Sequence, residues 1–107
     1  MGKPINGSGV QQGAQNLSSN VWLLVAPANQ NRMWLSIQNT AAFPVYLYTG
    51  PTAPAAVDGT VSFYLLKAAS AGVPSDCFYT GDHEAIFRGP VWALCPGHGA
   101  TVIVAEF

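Results

Sequence analysis

Residues 32–38 read Arg32-Met33-Trp34-Leu35-Ser36-Ile37-Gln38. Met33, Leu35 and Ile37 fall on one side of an extended chain, and Arg32, Trp34, Ser36 and Gln38 fall on the other. A period of two is the mark of a half-buried β-strand, because successive strand side chains point to opposite faces. Residues 39–44 make a turn, and residues 45–49 (VYLYT) alternate again, with Val45 and Leu47 opposite Tyr46 and Tyr48. Upstream, residues 21–26 (VWLLVA) form a short apolar run that stops at Pro27, and residues 28–31 (ANQN) are a polar connection. Downstream, residues 50–59 carry two prolines and two glycines and read as a loop.

The remaining strand candidates are residues 60–67, 77–80, 85–88, 91–95 and 101–107. The last two are separated by Pro96-Gly97-His98-Gly99, a short glycine-containing connection that predicts a hairpin. Ala-rich residues 53–57 and 67–71 are bounded too closely by Pro54 and Gly72 to build helices of any length. Six to eight short strands with turn signals every ~8–12 residues predict an all-β sandwich or barrel over residues 21–107. Its expected core is Val21, Leu23, Leu35, Ile37, Leu47, Leu65, Ile103 and Val104.

Residues 1–20 are different in kind. They are rich in Gly, Gln, Asn and Ser, with Ile5, Val10 and Leu17 as the bulky aliphatics. Such a segment buries too little apolar area to offset its ordering entropy, so it is expected to be a flexible arm. Ile5, Val10 and Leu17 are its candidate anchors on a neighbouring subunit.

The 107 residues make one domain, half of them apolar. Charged residues are 8%, against about 25% in an average soluble domain, so much of the surface must be uncharged or covered by a partner. The four basic residues, Lys3, Arg32, Lys67 and Arg88, are scattered. They cannot form the patch that nucleic acid or an anionic membrane surface requires. No apolar run approaches the ~20 residues of a spanning helix, and no apolar stretch follows Lys3 as in a secretory signal. Synthesis and use in the cytosol are expected, and with them two free thiols, Cys77 and Cys95, rather than a disulfide.

Catalysis needs titratable groups that converge. The acids are Asp58, Asp76, Asp82, Glu84 and Glu106, and the histidines are His83 and His98. Asp82-His83-Glu84 is the one cluster, but three consecutive side chains in extended chain point apart and seldom share a metal. No nucleophile elbow or phosphate-binding loop is present, so no catalytic, cofactor or metal site is expected. The strand faces offer a different signal. Trp22, Trp34, Tyr46, Tyr48 and Trp92 lie opposite the aliphatic rows, where a solvated sheet would carry Lys, Glu, Thr or Ser. These rings complete the core, form a subunit contact, or stack on a flat ligand such as a sugar. The residues expected at a subunit interface are Arg32, Trp34, Tyr46, Tyr48 and Trp92. Arg32 is expected there to pair with a carboxylate or with backbone carbonyls.

The stretches at residues 32–39 (RMWLSIQN), 44–48 (PVYLY), 89–94 (GPVWAL) and 101–106 (TVIVAE) resemble small virion proteins of tailed bacteriophages. The resemblance implies a single jelly-roll-like β-sandwich subunit that decorates or cements the capsid or sits in the head-tail or tail region. The implied partners are itself, as a homo-oligomer with a trimer suited to local threefold axes, and a major capsid or other virion protein. The implied location is the virion, after synthesis in the host cytoplasm. The competing reading is a small carbohydrate-binding module that stacks sugars on Trp34, Tyr46, Tyr48 or Trp92, and a small β-barrel enzyme is third.

Overall fold

A computed structural model describes residues 11–68, 76–81 and 86–107. They form eight strands: β1 (Gln11–Leu17), β2 (Leu23–Ala26), β3 (Leu35–Asn39), β4 (Val45–Tyr48), β5 (Tyr64–Leu66), β6 (Cys77–Thr80), β7 (Val91–Leu94) and β8 (Ala100–Glu106). No helix occurs among the described residues. The strands make two four-stranded sheets, β1-β8-β3-β6 and β2-β7-β4-β5, in which every pairing is antiparallel.

Strand 1 pairs with 8, 2 with 7, 3 with 6 and 4 with 5. The chain is thus one long antiparallel ribbon rolled on itself and closed by the β3–β8 and β4–β7 pairings. This is the eight-stranded jelly roll, and it makes the expected sandwich definite. Only β4 and β5 are both consecutive and adjacent in a sheet. The connection at residues 95–99 is therefore not the expected hairpin. It carries the chain from β7 in one sheet to β8 in the other. A glycine-bearing turn encodes a reversal but not the sheet that receives the next strand. Gly97 meets the turn's need with a φ of 80°.

The core between the sheets contains Leu35, Ile37, Val45, Leu47, Leu66, Val91, Ala93, Val102 and Val104, with Leu23 packed against it. Three expected core residues lie elsewhere. Val21 is 51% exposed because β2 starts only at Leu23, and Trp22 is buried in its place. Leu65 is 43% exposed because the register sets Leu66, not Leu65, opposite inward Val45. In β8, Val102 and Val104 face inward and Ile103 faces out. In an all-apolar run such as TVIVA the parity is invisible until the partner strand is known.

The domain begins earlier than residue 21. Residues 11–17 pair with β8 in continuous register, from Gln11 opposite Glu106 to Leu17 opposite Ala100, and Leu17 is buried in the core. Leu17 is thus an anchor within its own subunit. The other two expected arm anchors, Ile5 and Val10, lie outside the described residues. The arm was expected from low hydrophobicity, yet an edge strand needs only backbone pairing and one buried side chain to join a sheet.

One buried polar residue holds the roll shut at its middle. The Asn39 amide donates to Phe43 O at 2.9 Å, Lys67 O at 3.1 Å and Leu66 O at 3.2 Å, and its Oδ1 accepts from Ala41 N at 2.9 Å. It ties the end of β3 to the β3–β4 turn and to the end of β5. Asn39→Ala strands these buried carbonyls and is expected to cost about 2–3 kcal/mol. A denaturant midpoint that drops without a change in slope would confirm it.

Candidate functional site

Arg32 is fully buried within its own subunit and is not available to a partner. Its Nη1 donates to Phe87 O at 2.9 Å and Gly89 O at 3.0 Å, and Nη2 donates to Pro27 O at 2.8 Å. Glu106 Oε1 lies 3.6 Å from Nη2, and Asn29 Nδ2 donates to Glu106 Oε2. The expected chemistry, one carboxylate with backbone carbonyls, is what Arg32 meets, but inside the chain. The correction has a simple cause. Arg32 precedes β3, and its fork fits the carbonyls of residues 87–89 as they enter β7. Burial pushes the guanidinium pKa down, and Glu106 opposes that shift. Arg32→Ala leaves the partly buried Glu106 carboxylate without its cation and three carbonyls without their donor. An expected loss of about 3–5 kcal/mol should appear as unfolding of the isolated chain, and Arg32→Lys should not restore it, since an ammonium lacks the fork. Thermal denaturation of both variants checks this.

The aromatic face of β2-β7-β4-β5 also differs from expectation. Trp92 pairs with Tyr48 and Leu24, and Tyr46 pairs with Leu94 and Leu65, so these residues form the outward rows of that sheet. Leu94 is nevertheless fully buried and Trp22 is 8% exposed. Residues 49–63, between β4 and β5, cover them as a strap. Trp22 Nε1 donates to Ala56 O at 2.9 Å, and Trp92 Nε1 donates to Gly50 O at 3.0 Å. A Cβ at Gly59 would lie 2.7 Å from the Tyr46 ring, and Gly59 has a φ of 85°. The Trp22 and Tyr48 rings meet at 6.0 Å, tilted by 59°. Tyr46, Tyr48 and Trp92 are therefore half-buried beside the subunit's own chain. Replacing both indoles by Phe (Trp22→Phe with Trp92→Phe) removes two strap bonds, each worth about 1 kcal/mol. Limited proteolysis should then cut within residues 49–63 faster than in the parent.

Trp34 lies on the other sheet. Its ring stacks with Tyr79 at 6.4 Å and with Phe107 at 6.3 Å, each inclined by 28°. Trp34 and Phe107 are locked by backbone bonds in both directions, each 3.1 Å. Tyr79, Met33 and Phe107 are exposed around it. The cluster caps one end of the outer face of β1-β8-β3-β6. The rows of that face hold Ser36, Gln38, Cys77, Tyr79, Thr101, Ile103, Ala105, Ala14 and Asn16, with no Asp, Glu, Lys or Arg among them. Of the five residues expected at an interface, Trp34, half-buried like Tyr46, Tyr48 and Trp92, is the one on the outer face of β1-β8-β3-β6. Sequence alone did not single out Tyr79 and Phe107, which lie far from Trp34 along the chain.

The described carboxylates are engaged within the subunit. Asp58 accepts from Thr60 N and Oγ1, which holds its carboxyl below the usual carboxylate range. Asp76 accepts from Lys67 N and Cys77 N, and Glu106 faces Arg32. No group of three metal-ligating side chains occurs among the described residues, and Asp82-His83-Glu84 lies outside them. His98 stacks on Phe43 with ring centroids 3.7 Å apart. Phe43 also borders a groove of about 490 Å³ lined by Asn16, Thr40 and Thr101. Both cysteines are free: Cys77 is exposed on β6, and burial pushes the Cys95 thiol pKa up.

No protein-family model and no curated protein matches the chain. Among solved structures it is similar to a chain from Bacillus endospore appendages, described as a novel family of disulfide-linked pili. The identity is 13% and the TM-score 0.43, with 100% of this chain and 96% of that chain covered. A superposition that loose is not evidence for a shared fold or a shared role.

Proposed function

We propose that the chain is a non-enzymatic structural subunit that self-associates and packs within a larger protein shell, with capsid decoration or a head-tail position in a tailed bacteriophage as its setting. The observation that carries this reading is the outer face of β1-β8-β3-β6, four strands wide, free of charged side chains and ending in the Trp34, Tyr79 and Phe107 cluster. Interface cores are depleted in charge and enriched in Trp, Tyr and Phe, whereas solvated sheet faces are not. Jelly rolls build many viral shells, and also lectins and cupins, so the fold alone is an analogy. The face separates the readings. A lectin needs polar side chains arranged around a ring platform, and three of the four candidate stacking rings, Tyr46, Tyr48 and Trp92, lie on the strapped sheet.

Light scattering on the full chain tests the proposal. The expected mass is a multiple of 11.2 kDa. Trp34→Ser combined with Tyr79→Ser should reduce occupancy on the shell at least tenfold while the far-UV spectrum stays unchanged. A chain that remains monomeric up to millimolar concentration overturns the reading.

A further inference from the structure

Among the described residues, the two sheets have four edge strands without a second strand partner: β1, β6, β2 and β5. Proteins blunt such edges because unpaired N–H and C=O groups are a template for another strand. Three of these edges are blunted. β2 is broken by a register shift between Leu24 and Ala26 and stopped by Pro27. β5 is three residues long and runs into Lys67. β6 is four residues long and is entered through Asp76, whose carboxylate occupies Lys67 N and Cys77 N.

β1 has none of these devices. It is seven residues long, keeps unbroken register with β8, and contains no Pro, no charge and no bulge. It also contains Gly13, which its own subunit does not require. A Cβ there would meet nothing within 4 Å, and Gly13 is not among the glycines with positive φ. An interior strand glycine without a bulge or a crowded neighbour leaves room for a ligand or another backbone to come close.

We infer that β1 is the site where a second copy of this chain adds its own β1 in antiparallel, joining two β1-β8-β3-β6 sheets across a twofold axis. A twofold contact places each group near its own image, so a charge near the axis would repel itself. The uncharged sequence QQGAQNL avoids that cost. Edge pairing leaves the outer sheet face free for a different neighbour. The inference rests on the reading above, that the chain self-associates.

Ala14 supplies the test. It is the central residue of β1, exposed, and on the outer row opposite Ile103. A pairing that keeps most of β1 in register brings each Ala14 close to its image. Ala14→Lys and Ala14→Glu should each halve the mass seen by light scattering, with far-UV spectra unchanged, and an equimolar mixture of the two should restore the parent mass. The inference falls if Ala14→Lys alone keeps the parent mass, as it would if another segment of the same subunit covered the edge. It falls equally if each variant dissociates and the mixture stays dissociated. In either case an oligomeric parent leaves the structural-subunit reading standing, whereas a monomeric parent overturns both.

Discussion

A guanidinium shut away from water needs protein acceptors for its protons, and the acceptors that Arg32 finds at Nη1 and Nη2, with Nε left unpaired, organise much of this fold. Its fork reaches Pro27 O at the end of β2 and Phe87 O and Gly89 O ahead of β7, and it faces the Glu106 carboxylate in β8. One side chain therefore connects strands of both sheets at the end of the sandwich where the chain finishes. The backbone follows the same logic: Arg88 Nε donates to Arg32 O at 3.0 Å, and Asn29 N donates to Arg88 O at 2.9 Å. A buried ion pair of this kind is weak evidence of net stabilisation, since desolvation offsets most of the attraction. What it secures is position, because few alternative packings satisfy so many acceptors at once.

That position governs the surface. With Glu106 drawn toward Arg32, Phe107 lies against Trp34, and Tyr79 of the adjacent strand β6 completes the stack. An interior constraint thus builds an exterior aromatic cluster. On the opposite side of the molecule the problem is the reverse. There the rows of Trp22, Tyr46, Tyr48 and Trp92 would be too apolar to leave in water, and the chain covers them itself with residues 49–63. Among the described residues, a covering segment lies over β2-β7-β4-β5 and none lies over the outer face of β1-β8-β3-β6. That second face is the one proposed above to meet neighbours.

Low charge then has a structural account. Charge is absent from the outer face of β1-β8-β3-β6, and Arg32 and Glu106 are spent on the interior. In the proposed role of a shell subunit this would be tolerated because the surface is shared with neighbours, whereas a free monomer relies on charge for solubility. Face and edge of one sheet can serve different neighbours, which is what a lattice needs and what a twofold dimer alone does not.

The alternation of residues 35–38 and 45–48 by itself determined the class of fold, and Leu35, Ile37, Val45 and Leu47 are all fully buried as that alternation requires, whereas Met33 is exposed and Arg32 buried, contrary to it, because the strand starts only at Leu35. The absence of a helical period and the spacing of turns determined the number of strands to within two. Period-two patterning reports only which residues share a face. It does not report which sheet receives a strand, so the 95–99 connection read as a hairpin although it crosses between sheets. Nor could it separate Leu65 from Leu66 or Val102 from Ile103, because consecutive apolar residues carry no parity. Arg32 and the aromatic rows were visible as anomalies, and the acceptor type for Arg32 followed from its chemistry. Whether those acceptors belonged to a partner or to residues 27, 87, 89 and 106 of the same chain depended on contacts up to 74 positions apart. Only closing the roll could decide that, because long-range proximity is a property of the packed sheets and not of any local run of residues.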